Sequence, residues 1–302
     1  MVERKFTIGW LLRNLFLWFV LLVIAFPILH MIAVSISDAW PVTQGKVVLW
    51  PLINTVLEDG TKASKFGATL EVYKFVFSEP TLLVAYKNTI VYTVVGTVIA
   101  LFVMSTGAYA LSKPNRLPGG KFINILVMIT MFFGGGMIPA FLCMKWLGLV
   151  NTIWAIVLPP AFTAYNCIIM RTFFSGFPKE IEESGKLDGL NDIGILWYLV
   201  LPTSTAVLAT IGLFVAVAQW NNFFSPLIYL TDSSKYPLQI TLRQIVLQGV
   251  MDDFEGAARD TRFAENSIKY ATIAVAVLPI IAVYPFLQKY FVKGVMIGSV
   301  KG

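Results

Sequence analysis

The sequence predicts an all-α integral membrane protein with six transmembrane helices and both termini cytoplasmic. Three observations lead there. First, 57% of the 302 residues are hydrophobic and only 13% are charged, about half the charge that soluble domains carry. Second, the apolar residues fall into six runs long enough to cross a bilayer, which takes about 20 helical residues. Third, the charges between the runs are sided. With the N-terminus inside, the inner segments hold twelve bases and six acids, and the outer segments hold eleven of each. That is the positive-inside pattern. The short segment Lys113 to Lys121 states it most cleanly, with Lys113, Arg116 and Lys121 and no acid. The pI near 9.2 thus reflects topology and does not point to a nucleic-acid partner.

Span 1 covers about Leu15 to Ser35, behind the basic Arg4, Lys5 and Arg13. It has neither the short apolar core nor the small-residue cleavage site of a secretory signal, so it reads as an uncleaved helix. Pro27 is tolerable in a membrane helix whose neighbours satisfy the freed carbonyl. His30 is the sole histidine. No span offers it an acid, so it reads as a packed or hydrogen-bonded structural residue rather than a proton relay. Asp38 to Pro80 is a long outer segment rich in aromatic and β-branched residues. It reads as an ordered cap with turns at Gly45 and Gly60 and extended pieces such as Lys46 to Leu52.

Span 2 covers about Thr81 to Leu111. Gly96, Ser105, Thr106, Gly107 and Ala108 give it a small-residue face for close helix packing. Span 3 covers about Phe122 to Leu142, and its stretch FFGGGMIP should break the helix. Irregular backbone at membrane depth needs protein or water beside it, so the break is either pore-lining or a close-packing site. Span 4, about Thr152 to Met170, is interrupted by Pro159 and Pro160. Span 5 covers about Thr203 to Leu230 and span 6 about Ile268 to Phe291. Cys143 and Cys167 lack metal-ligand spacing and read as small apolar packing residues. The organisation is therefore residues 1–80, a first helix with a long extracytoplasmic loop; residues 81–292, a core of helices 2 to 6 with a polar inner segment at 171–202 and an outer loop at 231–267; and residues 293–302, a cytoplasmic tail.

Two absences bear on mechanism. The six spans contain no Asp or Glu, whereas ion-coupled carriers place ionisable groups within the membrane. The chain also lacks a GxxxxGK[ST] phosphate loop. Energy must then enter from another protein, and no metal or cofactor is expected in this chain. With one histidine, no nucleophile–base–acid set can be assembled, so the chain is not read as an enzyme.

The polar inner segment, a cytoplasmic helix between helices 4 and 5, is where that energy would arrive. Pro178 suits a helix start, and Glu180, Glu182 and Glu183 favour its N-terminal end. Ile181, Ser184, Gly185 and Asp188 fall on one face at i, i+3, i+4 and i+7, with Ser184 and Gly185 small enough for close approach by another surface. Gly189 fits a C-terminal cap, and Asn191 or Asp192 fits the next N-cap. A second helix then runs through Leu199 to Pro202.

The spacing of Glu183, Ser184, Gly185, Gly189, Leu199, Leu201 and Pro202 resembles the signature of ABC importer permeases: EAA, three residues, G, nine residues, I, one residue, LP. Ser and Gly stand for the two alanines and Leu for Ile. The stretches FFGGGMIPAFL, NTIWAIVLPPAF, AVAQWNNFFSPLIYL, YPLQITLRQ and KGVMIGSVKG resemble the carbohydrate (maltose-type) branch, closest to permeases for complex oligosaccharides. The resemblance runs from about Thr81 to the C-terminus. It implies a coupling helix docked on a cytoplasmic ATPase through Glu183, Ser184, Gly185, Asp188, Gly189, Leu201 and Pro202, with Glu183 meeting a basic residue. It implies as partners a second, homologous permease subunit, two ATP-binding cassette subunits that hold ATP and Mg, and an extracytoplasmic solute-binding protein probed by residues 231–267. The tail from Lys293 would reach the ATPase pair. Location would be the bacterial cytoplasmic membrane. Sugars need aromatic faces and amides, so Tyr165, Asn166, Gln219, Trp220, Asn221 and Asn222 are candidates for the pathway, or else for interhelical hydrogen bonding. An importer for amino acids or peptides is the alternative, and a membrane anchor or assembly protein a more distant one. Uronate-containing oligosaccharides are the substrate class the branch suggests.

Overall fold

In the computed structural model, residues 8–248 and 263–299 are described. The basic residues Arg4 and Lys5, the stretch 249–262 of the second outer loop and the last three residues of the tail lie outside them. The chain forms two compact units, Met1–Leu83 with Leu242–Leu278, and Val84–Thr241 with Pro279–Gly302.

The first long helix, α1 (Ile8–Ser35), is apolar on every side, and no residue of it is buried before Ala33. A helix of that character needs lipid or another chain around it. Pro27 sits inside it without ending it. Short helix α2 (Ala39–Thr43) follows. The described chain is mostly helical, as expected, and the segment after α2 adds one antiparallel hairpin. Strands β1 (Leu52–Val56) and β2 (Lys62–Phe66) pair with Leu52 opposite Phe66 and Val56 opposite Lys62. They begin where the extended piece Lys46 to Leu52 was expected to end. Gly60 turns the hairpin with φ +79, and the Asp59 carboxylate accepts from the Thr61 amide at 2.9 Å. The hairpin is tied to the end of α1. The Leu52 amide donates to the Ser37 hydroxyl at 3.0 Å, and the Asn54 amide donates to the Asp38 carboxylate at 2.7 Å. His30 donates from Nδ1 to the Val48 carbonyl at 2.7 Å and stacks on Phe26, the structural role expected of it. Helix α3 (Glu71–Ser78) joins the cap through Tyr73, whose hydroxyl lies 2.8 Å from Ser35 Oγ.

Span 2 is the continuous α4 (Pro80–Ser112). Span 3 is two helices, α5 (Gly120–Phe132) and α6 (Met137–Trp146), which meet at 120°. The break falls on the glycines of FFGGGMIP, as expected. Span 4 is not one helix. It consists of α7 (Trp154–Val157), a tight turn at Pro159–Ala161 and α8 (Ala164–Ser175). Two adjacent prolines remove two amide donors and clash with the preceding turn. The polar segment forms α9 (Lys179–Leu187), α10 (Asp192–Ile195) and α11 (Leu201–Thr203). Span 5 is α12 (Thr205–Trp220), set at 85° to Asp192–Thr203 and followed by α13 (Phe224–Tyr229). Helices α14 (Leu238–Gln248) and α15 (Glu265–Ser299) complete the described chain. Among the described residues three helices are individually long and apolar enough to cross a membrane: α1, α4 and the Glu265–Ala282 part of α15.

The core of the second unit gathers Ala100, Met104 and Ala108 of α4, Cys167, Met170 and Phe174 of α8, Ile195, Leu196 and Val200, and Val207 and Ile211 of α12. The small side chains of α4 allow this approach. Gly96 is the extreme case, since a Cβ there would lie 2.6 Å from the Gln219 amide nitrogen. Cys167 is packed as expected, whereas Cys143 is exposed.

Candidate functional site

The polar segment has the helix–turn–helix form expected from its residues. Pro178 stands one position before the first turn of α9, with φ −59. The helix ends in a paired C-terminal motif. The Leu190 amide donates to the Gly185 carbonyl at 2.9 Å and the Gly189 amide to the Lys186 carbonyl at 3.0 Å. These are the two bonds of a Schellman cap, with Gly189 at the left-handed position (φ +84). Asn191 then caps α10, its side-chain oxygen accepting from the Gly194 amide at 2.8 Å. A wide, π-type turn at Leu196–Val200 leads into Pro202. A proline ring cannot follow the carbonyl four residues back in a regular helix, and widening the preceding turn is one way to accommodate it.

The faces of α9 differ from the expectation at one residue. Ile181, Ser184 and Asp188 are exposed, as are Glu183 and Gly189. Gly185 is buried and does not share the outward face with Ser184. A Cβ on it would sit 2.7 Å from Leu199 Cδ1 and 3.5 Å from both Ile195 and Leu190. Its smallness therefore serves the packing of α9 on the chain's own next turns. The outward face is completed by Leu187, which is 90% exposed. Leu201 is half-buried and Pro202 exposed.

The more consequential carboxylate is one that sequence reasoning passed over. Glu182 is only 3% exposed and forms an ion pair with Lys113, itself 17% exposed. Arg116 approaches the same carboxylate at 3.4 Å. Asp192 lies 3.9 Å from Arg116 and 3.7 Å from Lys186, on the solvent side of the cluster. Burial lowers the Lys113 ammonium to about 8, helped by Arg116, Lys186 and Lys179 and opposed by Asp192. It remains mostly charged at neutral pH, and contact with Glu182 favours that state. Only part of the signal was present in the sequence. Glu182 is three residues before Gly185 and so shares its buried face, and the loop after α4 offers cations with no acid of its own. A second link lies alongside. Arg171 donates to the Asn124 side-chain oxygen, and the Asn124 amide donates to the Leu111 carbonyl at 3.2 Å and the Gly120 carbonyl at 3.0 Å.

The six pathway candidates do not form one cluster. Trp220 and Asn221 line a cavity of about 1210 Å³ together with Thr93, Phe214 and apolar residues of α12 and α15. Gln219 is buried and donates to the Ile156 carbonyl at 3.4 Å, and Asn222 donates to the Gln219 side-chain oxygen at 3.3 Å. Gln219 thus ties α12 to α7, while the Asn222 bond is local, to a residue three positions earlier. Asn166 is buried in α8, and Tyr165 is exposed. Among the described residues no group of His, Cys, Asp or Glu could hold a metal ion.

Comparison with known proteins agrees with this architecture. The family model described as a binding-protein-dependent transport system inner membrane component matches residues 82–297. The chain is 40% identical to the polygalacturonan/rhamnogalacturonan transport system permease protein YtcP of Bacillus subtilis, over 95% of this chain and 96% of that protein. It is 48% identical to protein LplC of the same organism, over 78% of this chain and 79% of the other. The crystal structure of a bacterial ABC transporter involved in the import of the acidic polysaccharide alginate contains a chain that superposes with a TM-score of 0.86 at 34% identity, covering 96% of this chain and 99% of that one. The resemblance read from the motif spacing therefore holds, and the chain belongs to the family of inner membrane components of binding-protein-dependent transport systems.

Proposed function

We propose that this chain is one of two homologous permease subunits of an ATP-driven importer for oligosaccharides, with uronate-containing ones as the substrate class. It crosses the bacterial cytoplasmic membrane six times with both termini inside, counting spans 3 to 5 as broken. Two ATPase subunits bind ATP and Mg, and an extracytoplasmic binding protein delivers the sugar. The permease for polygalacturonan and the alginate importer, whose names carry acidic polysaccharides, support the substrate class.

The observation that carries the reading is the outward face of α9. Ile181, Glu183, Ser184, Leu187 and Asp188 are exposed together on a helix whose other face is fixed by Glu182 and Gly185. A leucine that is 90% exposed, on a helix that also exposes Ile181, suits a groove on another protein. Burying it is worth about 2 kcal/mol, or roughly thirtyfold in affinity. Gly189 supplies the bend, and Pro202 ends the segment.

The test is to replace Leu187 by Ser and Glu183 by Ala and to measure retention of the ATPase on the purified permease pair. Each variant should weaken retention at least about tenfold while the permease reaches the membrane normally. Full retention together with normal uptake in the double variant sinks the docking reading.

A further inference from the structure

We propose that Glu182 is a positioning residue for coupling, a buried strut that carries displacement of α9 to the cytoplasmic end of α4. The inference rests on the docking reading above. It assigns a role to a residue adjacent to the docking face but turned away from it.

Three observations carry it. Glu182 is 3% exposed in a helix whose other charged residues are all exposed. Its partners Lys113 and Arg116 stand 69 and 66 residues earlier, in the loop directly after α4. The inner face of α9 thus makes two kinds of contact. Gly185 meets Leu199 through apolar atoms, and such a contact can slide. Glu182 meets Lys113 largely out of water, with the half-exposed Arg116 at the rim of the pair. Separating them leaves an uncompensated buried charge, which is strongly unfavourable. A load applied to the outer face is therefore passed along the ion pair in preference to breaking it.

The loop that receives the load is short and anchored. Ser112 ends α4 and Lys113 follows it directly. The Leu111 carbonyl is bonded to Asn124 of α5, which in turn accepts from Arg171 of α8. The end of α4 is thus held from both sides of the polar segment, through Arg171 before α9 and Glu182 within it. Helix α4 carries Ala100, Met104 and Ala108 into the core, so a shift at Lys113 reaches the packing of the second unit.

The experiment uses the complete complex, with partner permease and ATPases, in lipid nanodiscs. Hydrogen exchange is followed at residues 113–119 and 180–190 with and without a non-hydrolysable ATP analogue. In the parent complex both segments should respond together. In Glu182→Gln, which keeps the shape and removes the charge, the response at 180–190 should persist and that at 113–119 should disappear. Transport should fall roughly tenfold while ATP hydrolysis continues. The exchanged pair Glu182→Lys with Lys113→Glu should restore the joint response, which a merely structural role would not do. An unchanged response at 113–119 in Glu182→Gln overturns the strut. If Glu182→Gln does not assemble, the exchanged pair decides, since an assembled pair without joint response also overturns it. A parent complex with no response at 180–190 overturns the docking reading itself, and the strut with it.

Discussion

Substitution of Gly189 separates backbone from side-chain causes within the polar segment. The residue has φ +84, and nothing lies within 4 Å of where its Cβ would be. Its replacement therefore costs only the left-handed conformation, about 1–2 kcal/mol for an ordinary L residue. Loss of glycine's freedom in the open chain returns about 0.4–1 kcal/mol. Gly189→Ala should then cost about 1 kcal/mol and Gly189→Val about 2, because β-branched residues are the poorest fit to that region. Gly189→Asn should be nearly neutral, since asparagine tolerates the conformation. The assay is hydrogen exchange at the Leu190 amide, whose bond to the Gly185 carbonyl at 2.9 Å closes the turn. Exchange should accelerate about fivefold in Gly189→Ala and about thirtyfold in Gly189→Val, with Gly189→Asn within about twofold of the parent. Uptake should decline in the same order while membrane insertion is unchanged. Equal damage from Asn and Val would refute the reasoning, because volume at a contact surface, and not φ, would then be the cause.

Two further outcomes follow from the charges and amides. Burial and the neighbouring cations lower the Lys113 ammonium to about 8, so transport should decline as pH rises above that value and Glu182 keeps Arg116 alone. Lys113→Arg keeps the charge at all accessible pH and should abolish the decline, measured as uptake against pH in proteoliposomes. Gln219→Ala strips the Ile156 carbonyl of its donor and should destabilise by about 1–3 kcal/mol, read as a lower Tm. Asn221 is exposed, and among the described residues its side chain donates to the Val217 carbonyl one turn earlier. Asn221→Ala should leave Tm unchanged and raise the half-saturating sugar concentration about fivefold.

The legible parts of this protein were those set by local chemistry. The glycines of FFGGGMIP broke span 3 where they stand, Gly189 took the left-handed cap, and Asn191 capped the helix after it. The hairpin at residues 52–66 was less legible, because its register depends on Ser37 and Asp38 at the end of α1 rather than on alternation within the strands. Gly185 illustrates the same limit. Helical periodicity puts it beside Ser184, but only the position of Leu199 decides that it faces inward. The Glu182 pair joins residues 66 and 69 apart, and no short-range pattern selects one of three neighbouring glutamates as the buried one. Among the amides of span 5, burial and a carbonyl partner on another helix separated Gln219 from Asn221, a distinction that composition does not contain.

The break between α5 and α6 bears on the life of the unassembled chain. Gly134 and Gly135 have open space where side chains would be. Among the described residues their amides have no backbone acceptor, and Phe132 and Phe133 beside them are 80% and 75% exposed. Each such amide facing hydrocarbon costs several kcal/mol. A lone copy in lipid therefore carries a defect that a neighbouring polypeptide or a wetted interior would relieve.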